Sequence, residues 1–209
     1  MSTPARIRIM VVDDHPVVRF GLVAILGAQS DMTVVAQAST GEEAGELYRQ
    51  HQPDVCLMDL RLPGMSGADA IRTLREDFPD GVFMILTTFR GDEDIHKAMS
   101  AGARSYLLKG MSHDELLDAV RKVHSGRDYL PLTVRQSLAN RAPCSDLTAR
   151  EFEILELIVK GKTNKEIADA LDITVGTVKW HVNIILSRLN VSDRTQAAVA
   201  ALHRGIVEL

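Results

Sequence analysis

The sequence predicts an α/β protein: a doubly wound, five-stranded parallel sheet followed by a small all-α domain. Three observations carry that expectation. Up to about residue 124, short apolar runs alternate five times with amphipathic stretches, the rhythm of βα units closed by right-handed crossovers. The runs are continuous in Val, Ile, Leu and Met rather than alternating with polar residues, as strands covered on both faces are. From about residue 148 onward only helical periodicity remains.

The strands read at 7–12, 33–37, 54–59, 82–87 and 104–108, and the helices between and after them at 16–28, 41–50, 67–78, 92–101 and 112–124. In the last of these Leu116, Val120 and Val123 recur at helical spacing. The stretch "HSGRDYLPLTVRQSLANRAPCS" interrupts the pattern with Gly, Pro and Arg and reads as a linker holding at most one short helix. Four further helices follow, at 148–159, 164–171, 175–189 and 195–204. The domains are therefore expected at 1–124 and 146–209, with a linker over 125–145.

At 209 residues the chain has room for two modest domains. Charge is uneven along it. Residues 1–120 carry 11 Lys and Arg against 18 Asp and Glu, residues 121–143 carry 5 against 1, and residues 144–209 carry 8 against 9. An acidic first part joined to a differently charged tail points to two domains with different partners. No apolar run approaches the length of a membrane span, and the start "MSTPARIRIM" lacks the apolar core of a signal peptide. A cytoplasmic protein with no membrane partner is expected. Cys56 lies in an apolar run and Cys144 in the linker, which argues against a structural disulfide.

In an open parallel sheet, ligands bind beyond the carboxyl ends of the strands. The first strand ends in Asp13 and Asp14, the third in Asp59, the fourth in Thr87 and Thr88, and the fifth leads into Lys109. Two adjacent carboxylates at a strand tip raise each other's pKa unless a positive group sits between them. Clustered carboxylates without cysteine form a hard-oxygen site, which favours Mg²⁺ over Zn²⁺. Asp59 on the middle strand is the natural nucleophile, since a carboxylate can form an aspartyl phosphate. A lone Asp at a strand end is more often a turn residue or cap, and a lone Lys109 a surface charge. Five such groups on four strand ends of one sheet are not explained that way.

The segments "VVDDHPVVRFGL", "VCLMDLRLPGMSG", "MILTTF" and "ARSYLLKG" together resemble the receiver domain of bacterial two-component response regulators, a flavodoxin-like fold, over essentially all of residues 6–124. That resemblance implies that Asp59 accepts phosphate from a phosphohistidine on a sensor histidine kinase. It implies Mg²⁺ ligation by Asp14, Asp59 and the backbone carbonyl of Arg61, with Asp13 acting through water. It further implies that Lys109 holds the phosphoryl oxygens, that Thr87 closes onto them, and that Tyr106 is an aromatic switch residue. Gly110 stands where relatives often carry Pro or Asp after the lysine.

The second part holds two capping boxes, Thr148 with Glu151 and Thr163 with Glu166, and Thr174 is a candidate N-cap. In the helix that follows, Val178, Val182, Ile185 and Leu189 mark a core stripe. The opposite face carries Gly176, Trp180, Asn183 and Ser187, with Lys179 beside them. Two short helices joined by "DITVG", the second presenting small and polar side chains, follow the logic of a helix-turn-helix entering the major groove. Residues 146–207 resemble the LuxR-type DNA-binding domain, which identifies the whole chain as similar to the NarL/FixJ response regulators. The DNA-facing candidates are Lys162, Lys165, Thr177, Lys179, Trp180, Asn183 and Arg188. By resemblance the last helix supplies a dimer contact, for which Thr195, Ala198 and Leu202 are the candidates. The implied partners are a sensor histidine kinase, double-stranded DNA, a second copy on phosphorylation, and RNA polymerase as a further candidate.

Competing functions have specific weaknesses. "GKT" at 161–163 echoes a phosphate-binding loop, but that motif needs Gly where Glu156 stands, and a strand before it. A haloacid-dehalogenase-type phosphatase needs a second Asp two residues after its nucleophile, where this chain has Arg61. The chain is expected not to be an enzyme. An Mg²⁺-dependent adaptor whose helical tail binds protein would lack salt-dependent DNA binding.

Overall fold

In a computed structural model, residues 5–88, 91–139 and 147–207 are described; Cys144 lies outside them. They form two compact units, one of residues 5–88 with Ile95–Arg135, the other of residues 91–94 with 136–139 and 147–207.

The first unit is built on five parallel strands, β1 (Ile7–Val12), β2 (Met32–Ala38), β3 (Val55–Met58), β4 (Phe83–Thr87) and β5 (Ser105–Leu108). Their order in the sheet is β2-β1-β3-β4-β5. The helices α1 (Pro16–Gly27), α2 (Gly41–His51), α3 (Gly67–Asp77), α4 (Asp92–Ser100) and α5 (His113–His124) connect or follow them. Each strand falls within a residue or two of its expected position, because buried parallel strands are short apolar runs bounded by turn residues. One core layer joins Ile9, Val11, Leu57 and Leu107 of the sheet to Leu22 and Leu26 of α1 and Leu116, Val120 and Val123 of α5. The alternate residues Met10, Cys56, Met58, Phe83 and Ile85 are fully buried too, so the sheet is covered on both faces, as the unbroken apolar runs require. On α2, the Tyr48 ring sits 5.0 Å from Phe78 and 5.2 Å from Phe83.

Packing of the first unit continues past α5. Ser105 Oγ donates to the Tyr129 carbonyl at 2.7 Å, and the Tyr129 hydroxyl donates to Glu115 at 3.0 Å. The short helix allowed for in the linker is present as α6 (Leu132–Ala139).

The second unit packs α7 (Ala149–Val159), α8 (Asn164–Leu171), α9 (Val175–Leu189) and α10 (Arg194–His203) around Ile154, Ile158, Ile167, Val178, Ile185, Leu189, Ala197 and Ala201. Both capping boxes form with reciprocal hydrogen bonds, and the Thr174 side chain caps α9 through the Thr177 N–H. Asp172 ends α8 in the left-handed conformation, φ 53°, an arrangement a short polar side chain tolerates at modest cost. Among the described residues no helix is long and apolar enough to cross a membrane.

Candidate functional site

The strand order reverses between β1 and β3, because β1 connects outward to β2 while the later strands run the other way. A crevice opens at such a point beyond the carboxyl ends of the strands. Asp13 and Asp14 follow β1, Asp59 follows β3, Thr87 ends β4, and Lys109 follows β5. The sheet therefore brings the expected groups to one edge. Asp13, Asp59 and Thr87 are buried, at 1%, 4% and 0% exposure, while Asp14 stays half-buried.

Lys109 answers part of the charge problem. Its Nζ lies 2.8 Å from Asp13 Oδ2 and 2.5 Å from Asp59 Oδ2. Burial alone would lower the Lys109 pKa; hydrogen bonds to Asp13 and Asp59, with their negative charge, outweigh it and hold the pKa above the ordinary lysine value. One ammonium thus neutralises part of a three-carboxylate cluster. Asp59 Oδ1 is buried and accepts no hydrogen bond. One atom each of Asp13, Asp14, His15 and Asp59 lies within 4.8 Å of all the others. A buried carboxylate oxygen with no donor, facing two further carboxylates, fits a hard divalent cation such as Mg²⁺.

The backbone holds this arrangement in place. The Asp59 N–H donates to the Val12 carbonyl at 2.8 Å, and Lys109 N–H to the Thr87 carbonyl at 2.8 Å. Gly67 opens α3 directly behind Asp59: a Cβ there would stand 2.0 Å from the Asp59 carbonyl oxygen. Any side chain at 67 would push Asp59 from its seat. Three residues near the cluster were not among the expected site residues. His15 Nδ1 lies 2.6 Å from Asp14 Oδ1, and its backbone N–H donates to Asp13 Oδ1 at 2.9 Å. Arg19 donates to the Asp13 carbonyl at 2.5 Å. Gly67, in "PGMSG", could have been singled out as a close-approach glycine, and His15 and Arg19 as polar groups within six residues of Asp13. Arg61 follows Asp59 by two residues in the β3–α3 loop and is half-buried. Tyr106 is wholly buried on β5, paired with Ile85 of β4.

In the second unit α9 turns Val178, Ile185 and Leu189 inward at 0% exposure. Gly176, Lys179, Asn183 and Ser187 are exposed, and Trp180 is 60% exposed. A large aromatic surface held out among small and polar groups suits a contact face. Lys162 and Lys165 are exposed at the start of α8. Thr177 is half-buried, its hydroxyl 2.9 Å from that of Thr174. Arg188 is different: it turns inward, Nη1 2.6 Å from the buried Glu151 carboxylate. On α10, Thr195 and Leu202 are exposed, and Ala198 packs against the unit's core.

Two family models match this chain: the response regulator receiver domain over residues 9–121, and the luxR family of bacterial regulatory proteins over residues 145–201. The transcriptional regulatory protein LiaR of Bacillus subtilis strain 168 is 46% identical over 206 residues, spanning 95% of this chain and 97% of its own. The response regulator VraR of Staphylococcus aureus is 40% identical over 207 residues, spanning 97% and 99%. Among solved structures, the response regulator ChrA of a heme-sensing two-component system is 38% identical, with a TM-score of 0.59 over 97% of this chain and 100% of that one. Family models and relatives cover both units in the same order. The chain belongs to the two-component response regulators that join a receiver domain to a LuxR-type DNA-binding domain, a family of transcription regulators rather than enzymes.

Proposed function

We propose that Asp59 is the phosphoacceptor of a transcriptional switch, taking its phosphoryl group from a phosphohistidine of a sensor kinase. The observation that carries this is the asymmetry of the Asp59 carboxylate. One oxygen is held by Lys109 and the other is buried with no hydrogen-bond donor. In the transfer, a carboxylate oxygen of Asp59 bonds to phosphorus as the bond from phosphorus to the donor imidazole nitrogen breaks. The electron pair leaves with that nitrogen. Asp13, Asp14, Asp59 and the carbonyl of Arg61 would hold Mg²⁺, which supplies charge neutralisation for the phosphoryl oxygens. Lys109 is poised to move its hydrogen bonds from the carboxylates to those oxygens, and the Thr87 hydroxyl to follow, with Tyr106 adjusting beside it.

The output is binding of double-stranded DNA by α9 in the major groove, through Lys179, Trp180 and Asn183, with Lys162 and Lys165 on phosphates. Phosphorylation favours a homodimer with Thr195 and Leu202 of α10 in contact, and RNA polymerase is the candidate downstream partner. A regulator with these inputs and outputs works in the cytoplasm.

Two measurements test this reading. Incubated with Mg²⁺ and a small acyl-phosphate donor, the chain should gain an acid-stable, base-labile adduct by intact mass. Asp59→Asn or a chelator should abolish it; an undiminished adduct refutes the assignment. Continuous turnover of a phosphomonoester would favour a phosphatase instead. Lys179→Ala should weaken DNA binding by about 1–3 kcal/mol if it reads a base, and lower the salt slope if it meets a phosphate. Wild-type affinity and slope in that variant would mean that α9 is wrongly oriented in this account.

A further inference from the structure

The two capping boxes of the second unit provide an internal comparison. Both Glu151 and Glu166 receive the backbone N–H of their N-cap threonine at 2.7 Å. Glu166 does this from the surface, its side chain 51% exposed, with the Thr163 hydroxyl donating to it at 2.8 Å and the Lys162 ammonium at 3.6 Å. Glu151 does it with 3% exposure, clasped by Arg188 from another helix at 2.6 Å. Capping therefore does not require burial of the carboxylate. Burying it costs desolvation free energy, offset only by a close, well-formed partner. Left to itself, burial would raise the Glu151 pKa; the Arg188 guanidinium and the Thr148 backbone N–H and hydroxyl together hold it below the ordinary glutamate value.

Helix geometry says where Arg188 points. At 3.6 residues per turn, nine residues separate Arg188 from Lys179 by roughly half a turn. Arg188 thus leaves α9 on the side away from Lys179, toward α7. We propose that Arg188 is a positioning residue rather than a DNA contact: with Glu151 it ties α9 to the start of α7 and sets the angle at which Lys179, Trp180 and Asn183 are offered. This rests on the reading that α9 is the element that meets DNA.

The test uses the full chain and a duplex recovered from random-sequence DNA by the wild-type protein. Affinity is measured across a salt series, alongside affinity for a scrambled duplex, well below the melting point of each variant. Arg188→Ala and Glu151→Ala should each weaken specific binding at least tenfold and shrink the specific-to-scrambled ratio, with the salt slope unchanged. The double variant Glu151→Leu/Arg188→Met, which replaces the pair by apolar bulk, should recover more binding than either single variant. A phosphate contact predicts otherwise: Arg188→Ala would lower the slope by about 0.9, and Glu151→Ala, by freeing the guanidinium, would preserve or strengthen binding. Either result overturns the proposal. So does a variant that melts earlier but keeps the wild-type specificity ratio, since the pair would then matter to stability alone. Failure of the underlying reading looks different: the wild-type chain would show no salt-dependent binding, or Lys179→Ala would change nothing.

Discussion

At the scale of single residues, the carboxylate edge of the sheet is a problem of excess negative charge with an incomplete answer. Lys109 is 12% exposed and shared between Asp13 and Asp59. Removing one member of a buried ion pair leaves an uncompensated charge and costs about 3–5 kcal/mol. Lys109→Met should therefore destabilise the first unit by roughly that amount without divalent cation. Saturating Mg²⁺ should return much of the loss, because the same carboxylates would then face a cation. Urea titrations with and without Mg²⁺ decide it; a loss of the same size in both would mean that the metal does not occupy this cluster. The convergence of Asp13, Asp59 and Lys109 could be read from the sequence, because each is the first polar group after an apolar run. Which carboxylates the lysine would grip could not, since that depends on strand order and side-chain reach. The contact of His15 with its neighbour Asp14 depends on side-chain rotamers alone.

At the scale of elements, local chemistry was the most legible part of the chain. The caps at Thr148, Thr163 and Thr174 are short-range patterns, and all three form. The inward stripe of α9 and its outward Trp180 follow from periodicity alone. What periodicity cannot report is a tie between residues 37 positions apart on two helices, so Arg188 read as one more DNA-facing cation. The extension of the first unit to Tyr129 was equally hidden, because it rests on a bond to Ser105 at a separation of 24 residues. A pH prediction belongs to the Glu151 tie. Its folded pKa is depressed, so its contribution to stability is complete above the ordinary glutamate pKa and disappears as pH falls through the depressed value. Glu151→Gln keeps a side chain able to cap but removes the titration. The variant's second unit should be weaker than wild type near neutrality and lose less stability on acidification. Trp180 emission during urea unfolding, followed from near pH 7 to about pH 3, below the ordinary glutamate pKa of about 4.3, measures both. Parallel acid dependence in the two proteins would remove Glu151 as the titrating group.

For the whole molecule, the placement of its aromatic residues allows the two units to be followed separately. All three tyrosines, Tyr48, Tyr106 and Tyr129, lie in the first unit, and the single tryptophan, Trp180, lies in the second. Each unit has its own buried cluster, so each should unfold as its own cooperative step. A ligand that binds only the native state stabilises it by about 2.7 kcal/mol at a hundredfold excess over its Kd. The carboxylate cluster proposed to hold Mg²⁺ lies on the first unit, so Mg²⁺ should raise the midpoint seen by tyrosine absorbance and leave the Trp180 transition where it was. Asp14→Asn should cancel the tyrosine shift, since it removes a half-exposed ligand while keeping Lys109 paired with Asp13 and Asp59. The sensitive outcome is the Trp180 trace. If it moves with Mg²⁺ by as much as the tyrosine signal, the units unfold as one, and binding at the acidic edge is already coupled energetically to α9 before any phosphoryl group arrives. If it stays still, coupling between input and output has to be created by phosphorylation of Asp59. The same pair of signals, recorded with the acyl-phosphate donor added, would then show Trp180 shifting only in the chain that retains Asp59.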